Sequence, residues 1–273
     1  MSEEEAMSIE EYGARLYGFD QPLERERIAL IGSVFDEFSR RRIRDLGPLA
    51  GKRCLDVGAG PGTVTAWLAN ECGVHGEVIG LDRDITLLEE ADFPGMIAWQ
   101  ADIESGPPHT FPTPGFDLIH ARLTICHLPD RERVLEQLVR WLNPGGWILI
   151  SDVINTMQAC AAGHALGNMT RAFDEALLQT LGSDLNYAKI YPAPLRDLGM
   201  VDIGMAADLP IIRGDQATGR FWQLTFEAMR AEILGTGIID EAGFVTAISE
   251  LTKAGSFAIG YALVSAWGRL AVD

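Results

Sequence analysis

Leu23, Ile28, Ile31, Val34, Phe35 and Phe38 recur at the three- and four-residue spacing of one helix face, so a helix is expected over 22–45. From Cys54 the texture changes to short, continuous apolar runs. The runs at 54–57, 77–81, 96–100, 116–120 and 147–151 read as strands. Helical patterns separate them: Val64, Trp67 and Leu68 after a glycine-rich break, then 85–90, then 131–142. Asn143-Pro144-Gly145-Gly146 reads as a tight turn that ends a helix and starts the fifth strand. Strands that are apolar on consecutive residues are covered on both faces. Their alternation with helices implies an α/β fold with a mostly parallel sheet and helices on both sides. Beyond Asp152 the chain turns to Ala-, Met- and Gly-containing helices over 153–192. A strand at 201–205, helices at 217–234 and 240–253, and a last strand at 257–266 complete the expectation. Residues 1–20 read as an arm.

Composition narrows the function classes. The chain has 273 residues, of which 47% are hydrophobic and 22% charged, as in a globular protein with a core. Its formal net charge of −17 argues against a nucleic-acid backbone as partner, because phosphate neutralisation needs clustered Lys and Arg. Arg40, Arg41, Arg42 and Arg44 form the one obvious basic run and read as a solvated helix face. Cysteines at 54, 72, 126 and 160 form no CxxC pair, which fits free thiols in a reducing cytoplasm. The acidic N-terminus does not look like a signal peptide. The longest apolar stretch, 257–267, is shorter than the roughly 20 residues of a membrane span, so no membrane partner is expected.

The segment richest in chemistry is Leu55-Asp56-Val57-Gly58-Ala59-Gly60-Pro61-Gly62-Thr63. Glycines between a strand and a helix permit positive φ and let a ligand approach the backbone. The following helix start offers N–H groups without helical partners and a partial positive charge. The spacing G-x-G-x-G, preceded by Asp56, differs from the G-x-G-x-x-G of dinucleotide sites. Asp82 ends the second strand, where a carboxylate can accept both hydroxyls of a ribose; a surface acid is the plainer reading. Asp102, after the third strand, can accept from an adenine amino group or simply cap a helix.

The phrases LDVGAGPG, GLDRD, WQADI, FDLIHAR and LNPGGWILISD resemble the successive motifs of class I S-adenosylmethionine (SAM)-dependent methyltransferases over residues 45–155. Within that superfamily the chain resembles the small-molecule enzymes of quinone and natural-product biosynthesis. The resemblance implies a Rossmann-like, seven-stranded, mostly parallel sheet with an antiparallel last strand and helical lid insertions. It implies a helical arm over 1–45 and a SAM-binding domain over 46–273, with acceptor-site insertions near 153–195 and 210–254. It places the methionine end of SAM on Asp56 and the loop of Gly58, Ala59, Gly60, Gly62 and Thr63. The ribose falls to Asp82, with Arg83 beside the adenine; Ala101, Asp102 and Ile103 take the adenine; Ala121 and Arg122 line the far side of the sulfonium. Tyr17 and Arg27 resemble part of an arm that closes over the cofactor, although a short amphipathic helix gives the same pattern.

SAM carries an activated methyl group, so the protein mainly positions the acceptor, and a base is needed only where the acceptor must lose a proton. His127, just past the fourth strand, is the first candidate base, against the reading of a packed histidine steadying its loop. His164, in the inserted helical region, is the second. Phe173, Tyr187, Tyr191, Trp222, Phe226 and Met229 are candidate walls of an apolar or aromatic acceptor pocket. Trp222, Phe226 and Met229 share one helix face, and such a stripe also suits plain core. No metal is expected: the fourth strand ends in His120-Ala121-Arg122, and Asp152 with Asn155 is too small a donor set. The expected partner is a small-molecule acceptor, with oligomeric state open, a homodimer included. The competing readings are an NAD(P)-dependent oxidoreductase and a SAM-binding regulatory protein without turnover.

Overall fold

A computed structural model describes residues 22–105, 115–157 and 164–272. Tyr17 and Cys160 lie outside the described residues. The chain divides into two compact units. One comprises 36–152, 187–207 and 264–273, and holds most of a seven-stranded sheet; the other comprises the chain up to Phe35, 153–186 and 208–263.

In the sheet unit the strands are β1 (Arg53–Val57), β2 (Glu77–Asp82), β3 (Met96–Gln100), β4 (Phe116–Arg122), β5 (Leu142–Ile154), β6 (Val201–Asp208) and β9 (Ala262–Arg269), in the spatial order β3-β2-β1-β4-β5-β9-β6. β1 pairs in parallel with β2 and β4, β2 with β3, and β4 with β5. β9 runs against β5: Gly145 N donates to Leu270 O and Leu270 N to Gly146 O, both at 2.9 Å, and Ser151 meets Ser265. The sum of paired residue numbers stays nearly constant along the two strands, the mark of an antiparallel register.

The helices follow from the pattern between strands. α1 spans Pro22–Leu46, α2 Thr63–Cys72, α3 Thr86–Ala91 and α4 Arg131–Arg140. In α4, Val134, Leu135, Leu138 and Val139 are buried, each contributing about 1.5–3 kcal/mol of hydrophobic stabilisation. Ile43, Cys54, Leu68, Val78, Leu118 and Leu149 form one core cluster of the sheet unit. The inner strands β1, β2 and β4 are buried along nearly their whole length, whereas β3 and β6 are half-exposed edges.

The other unit is built on α5 (Ala165–Leu181). α8 (Arg230–Gly235) and α9 (Glu241–Thr252) pack on it, and α7 (Ala217–Ala228) packs on α9. A two-stranded ribbon joins β7 (Ile211–Arg213) to β8 (Phe257–Ile259). The short helix α6 (Ala193–Asp197) belongs to the sheet unit.

Five expectations are corrected. The expected last strand, 257–266, is two strands, because Gly260 donates to Pro210 O at 2.8 Å and leaves β8 on the ribbon before β9 begins. The turn at Asn143–Gly146 lies inside β5, as a bulge: the pairing moves from Phe116 with Leu142 to Leu118 with Trp147. The helix expected over 217–234 breaks at Met229, which leaves helical geometry at φ −113°. Leu23 is 57% exposed, while Glu24 beside it is buried and grips Arg27 at 2.6 and 2.7 Å. Nor are the helix arginines simply solvated: Arg40 pairs with Asp36, and Arg41 and Arg44 lie over the rings of Phe38 and Trp67.

Candidate functional site

The sheet order reverses between β1 and β4, and in open α/β sheets the crevice at such a switch point, beyond the carboxyl ends of the strands, is where ligands bind. The glycine loop starts there. Gly58 has φ +69°, and a Cβ on it would stand 2.1 Å from Thr124 Oγ1, so only glycine fits. Gly60 has φ +52° with nothing within 4 Å of its Cβ position, which leaves its outer face open to a ligand. Gly62 caps α2 in the left-handed conformation, and no side chain caps that helix end.

The loop amides are less bare than the sequence implies. Gly58 N and Ala59 N both donate to Leu81 O, Gly62 N donates to Ala59 O, and Gly60 N donates to Asp82 Oδ2 at 2.8 Å. Asp82 therefore holds the loop as well as facing the crevice. Burial pushes its carboxyl above the usual range, and the N–H groups of Gly60 and Asp84 pull it back. Asp56 does not reach the loop surface. It is buried, with Oδ1 at 2.7 Å from His120 Nδ1 and Oδ2 accepting from Thr65 Oγ1 at 2.6 Å.

Ala101 N donates to Asp82 O, which brings the acids of β2 and β3 to neighbouring strand ends. Asp102 Oδ1 accepts from Glu104 N at 2.9 Å, so one oxygen does the capping job that the sequence also allowed. Ile103 is buried, and Arg83 O accepts from Gln100. Ala121 is buried in register with Val57. Arg122 and Thr63 both turn to Asp36 of α1, which also accepts from Arg40. Asp36 is a residue the sequence reading passed over; its one signal was the helical pairing with Arg40.

His127 closes a 3-10 turn (Ile125–His127) after β4. The loop is fastened at several points. Leu123, at φ +54°, donates to Ser151 O; Cys126 N donates to Asp152 Oδ2 at 3.2 Å; Arg131 donates to Leu128 O and Cys126 O. Asp152 is fully buried and also accepts from Tyr191 Oη at 2.6 Å; its Oδ1 has no partner among the described residues. Burial raises its carboxyl to about 6 despite those bonds.

A profile of the methyltransferase domain matches residues 23–198. The chain belongs to the methyltransferase-domain family. Methyltransferase str2 of Strobilurus tenacellus is 34% identical over 37% of this chain and 36% of its own length. Phosphoethanolamine N-methyltransferase 1 of Arabidopsis thaliana is 26% identical over 61% of this chain and 32% of its own length. The chain thus spans about a third of the length of these curated relatives. Among solved structures, a Haemonchus contortus phosphoethanolamine N-methyltransferase 2, in complex with phosphomonomethylethanolamine and S-adenosylhomocysteine, is 17% identical. It superposes with a TM-score of 0.51 over 85% of this chain and 51% of that one, a shared fold.

The other candidate residues divide between the units. Tyr187 and Tyr191 stand in the sheet unit, edge to face at 5.6 Å, with the Arg131 guanidinium over Tyr187. Arg27, His164, Phe173, Trp222, Phe226 and Met229 stand in the other unit. There Phe173, Trp222 and Phe226 pack together with Tyr261, which stacks on Trp222 at 4.5 Å. Tyr261 was missed because its run reads as strand. His164 precedes α5 and lines a cavity of about 370 Å³ with Met157, Leu166, Ile212, Glu250 and Phe257. Among the described residues no cluster of three or more His, Cys, Asp or Glu has a metal-binding arrangement, and no helix is long and apolar enough to cross a membrane.

Proposed function

We propose that this methyltransferase-family chain binds SAM at the carboxyl ends of β1, β2 and β3 and transfers its methyl group to a small organic acceptor by in-line displacement. The open face above Gly60, beside the Asp82 carboxylate, carries the reading. A ligand backbone can lie against Gly60 without meeting a side chain, and a ribose can take up Asp82. The loop Gly58–Thr63 and the uncapped start of α2 would hold the amino-acid end. Asp82 and Arg83 would hold the ribose side, Ala101, Asp102 and Ile103 the adenine, and Ala121 and Arg122 the far side of the sulfur. Asp56 acts from beneath, since it is buried under the loop against His120 and Thr65.

SAM supplies a methyl group on a positive sulfur. The chain's own residues then orient the acceptor and, where it must lose a proton, His127 accepts it. The acceptor we favour is apolar or aromatic, of the secondary-metabolite kind, with Tyr187 and Tyr191 of the sheet unit as candidate contacts. A phosphoethanolamine-like acceptor is the second reading, prompted by the names of relatives. The pairing of Arg122 with Asp36 weakens it, because that guanidinium already faces a carboxylate.

Titration calorimetry with SAM, S-adenosylhomocysteine and NADH tests the cofactor. Binding of the first two without NADH supports the reading; binding of NADH alone replaces it with the oxidoreductase. Labelled SAM with phenols, quinones, indoles, amines and phosphoethanolamine identifies the acceptor. Tight SAM binding with no transfer to an acceptor that occurs with it would favour the regulatory alternative.

A further inference from the structure

Asp56 and Thr65 bracket the glycine loop, one on β1 before it and the other in the first turn of α2 after it. Their side chains meet at 2.6 Å, so a single carboxylate ties the two ends of the loop together beneath its floor. The same carboxylate is fixed from the neighbouring strand. Asp56 and His120 are partners in the parallel register of β1 and β4, and His120 Nδ1 lies 2.7 Å from Asp56 Oδ1. In this bond the ring serves as the donor through Nδ1 and the carboxylate oxygen accepts. His120 is 1% exposed, and its Nε2 has no partner among the described residues. Among those residues, the bond to Asp56 is the one use the structure makes of this imidazole.

We propose that His120 is a positioning residue for the cofactor: through Asp56 and Thr65 it fixes the geometry of the Gly58–Gly62 loop without touching the ligand. The proposal rests on the SAM reading above. It differs from a role of Asp56 as a ligand contact, because Asp56 is buried and its oxygens face His120 and Thr65 beneath the loop. The distribution of the three groups over β1, β4 and α2 explains why loop geometry, rather than overall stability alone, depends on them. Losing the imidazole donor leaves a buried carboxylate short of a partner and free to turn from Thr65. Both loop ends then lose their common anchor.

The experiment measures SAM affinity by calorimetry in wild type and in His120→Leu, His120→Asn and Thr65→Val, with the thermal midpoint recorded for each. Asn places a donor close to the Nδ1 position, whereas Leu offers none. His120→Leu is expected to weaken SAM at least tenfold and Thr65→Val several-fold, with His120→Asn restoring affinity to within about threefold of wild type. Leu135→Ala, a core truncation in α4 that loosens the fold elsewhere, serves as the control with unchanged SAM affinity. Hydrogen exchange at the amides of Gly58, Ala59, Gly60 and Gly62 should rise in His120→Leu and not in Leu135→Ala. If His120→Leu does not fold, the Thr65→Val and His120→Asn results decide. Affinity within twofold of wild type in Thr65→Val, together with a full loss in His120→Asn, overturns the proposal. So does wild-type affinity in a folded His120→Leu. Wild-type protein that binds no SAM refutes the cofactor reading instead, and the exchange measurement then still tests the anchor.

Discussion

Asp152→Asn isolates the energetics of one buried charge. The wild-type carboxylate is fully buried, accepts from Tyr191 Oη and Cys126 N, and has one oxygen without a partner among the described residues. Burial therefore dominates, and the carboxyl rises from 3.8 to about 6. That difference corresponds to about 3 kcal/mol between the two protonation states. The folded protein binds this proton more tightly than the unfolded chain does. Stability from Asp152 is thus fully present below pH 3.8, falls as the pH rises to about 6, and is flat above. An Asn can accept from the same two donors and cannot ionise. The stability of the Asp152→Asn variant relative to wild type should therefore improve by about 3 kcal/mol between roughly pH 4 and pH 7. Urea unfolding of both proteins at a series of pH values measures it directly. A difference that stays constant within about 0.5 kcal/mol over that range refutes the claim that the buried carboxylate ionises at a cost.

Three further outcomes are expected. Asp82→Ala should weaken SAM by roughly 10–100-fold and lower the thermal midpoint as well, since the Gly60 and Asp84 amides lose their acceptor; calorimetry and a melting scan read both. Gly58→Ala should destabilise the fold by about 2–4 kcal/mol, since it adds positive-φ strain to a Cβ placed 2.1 Å from Thr124 Oγ1; denaturant melts measure it. His127→Gln should lower kcat by about 10²–10⁴ on a phenolic acceptor with SAM affinity unchanged; an unaltered kcat would leave His127 with a purely packing role.

The alternation of strands and helices was legible because each inner strand is apolar along its length, and β1, β2 and β4 are in fact covered on both faces. The glycine loop was legible because Gly58 answers a steric demand that no other residue meets and Gly60 takes a positive φ that favours glycine. What stayed hidden is tertiary. No local pattern at Phe257–Arg269 shows that its first residues pair with Ile211–Arg213, since one apolar run serves a ribbon as well as a sheet. The engagement of Asp56 with His120 depends on the register of two strands far apart in sequence. Asp36 likewise meets Arg122 and Thr63 only once its stretch of α1 has docked beside β4 and the start of α2, so a helix acid beside an arginine gave no hint of its reach.

That reach sets the smallest fragment worth making. A chain cut just ahead of β1 would keep every strand and the glycine loop yet lose the acid that accepts hydrogen bonds from both Thr63 and Arg122. The guanidinium, just 8% exposed in the intact protein, would then be stranded without that counter-charge. A minimal version of this fold therefore has to begin upstream of Asp36, and the stretch of helix that carries this acid counts as part of the sheet unit rather than as an optional appendage.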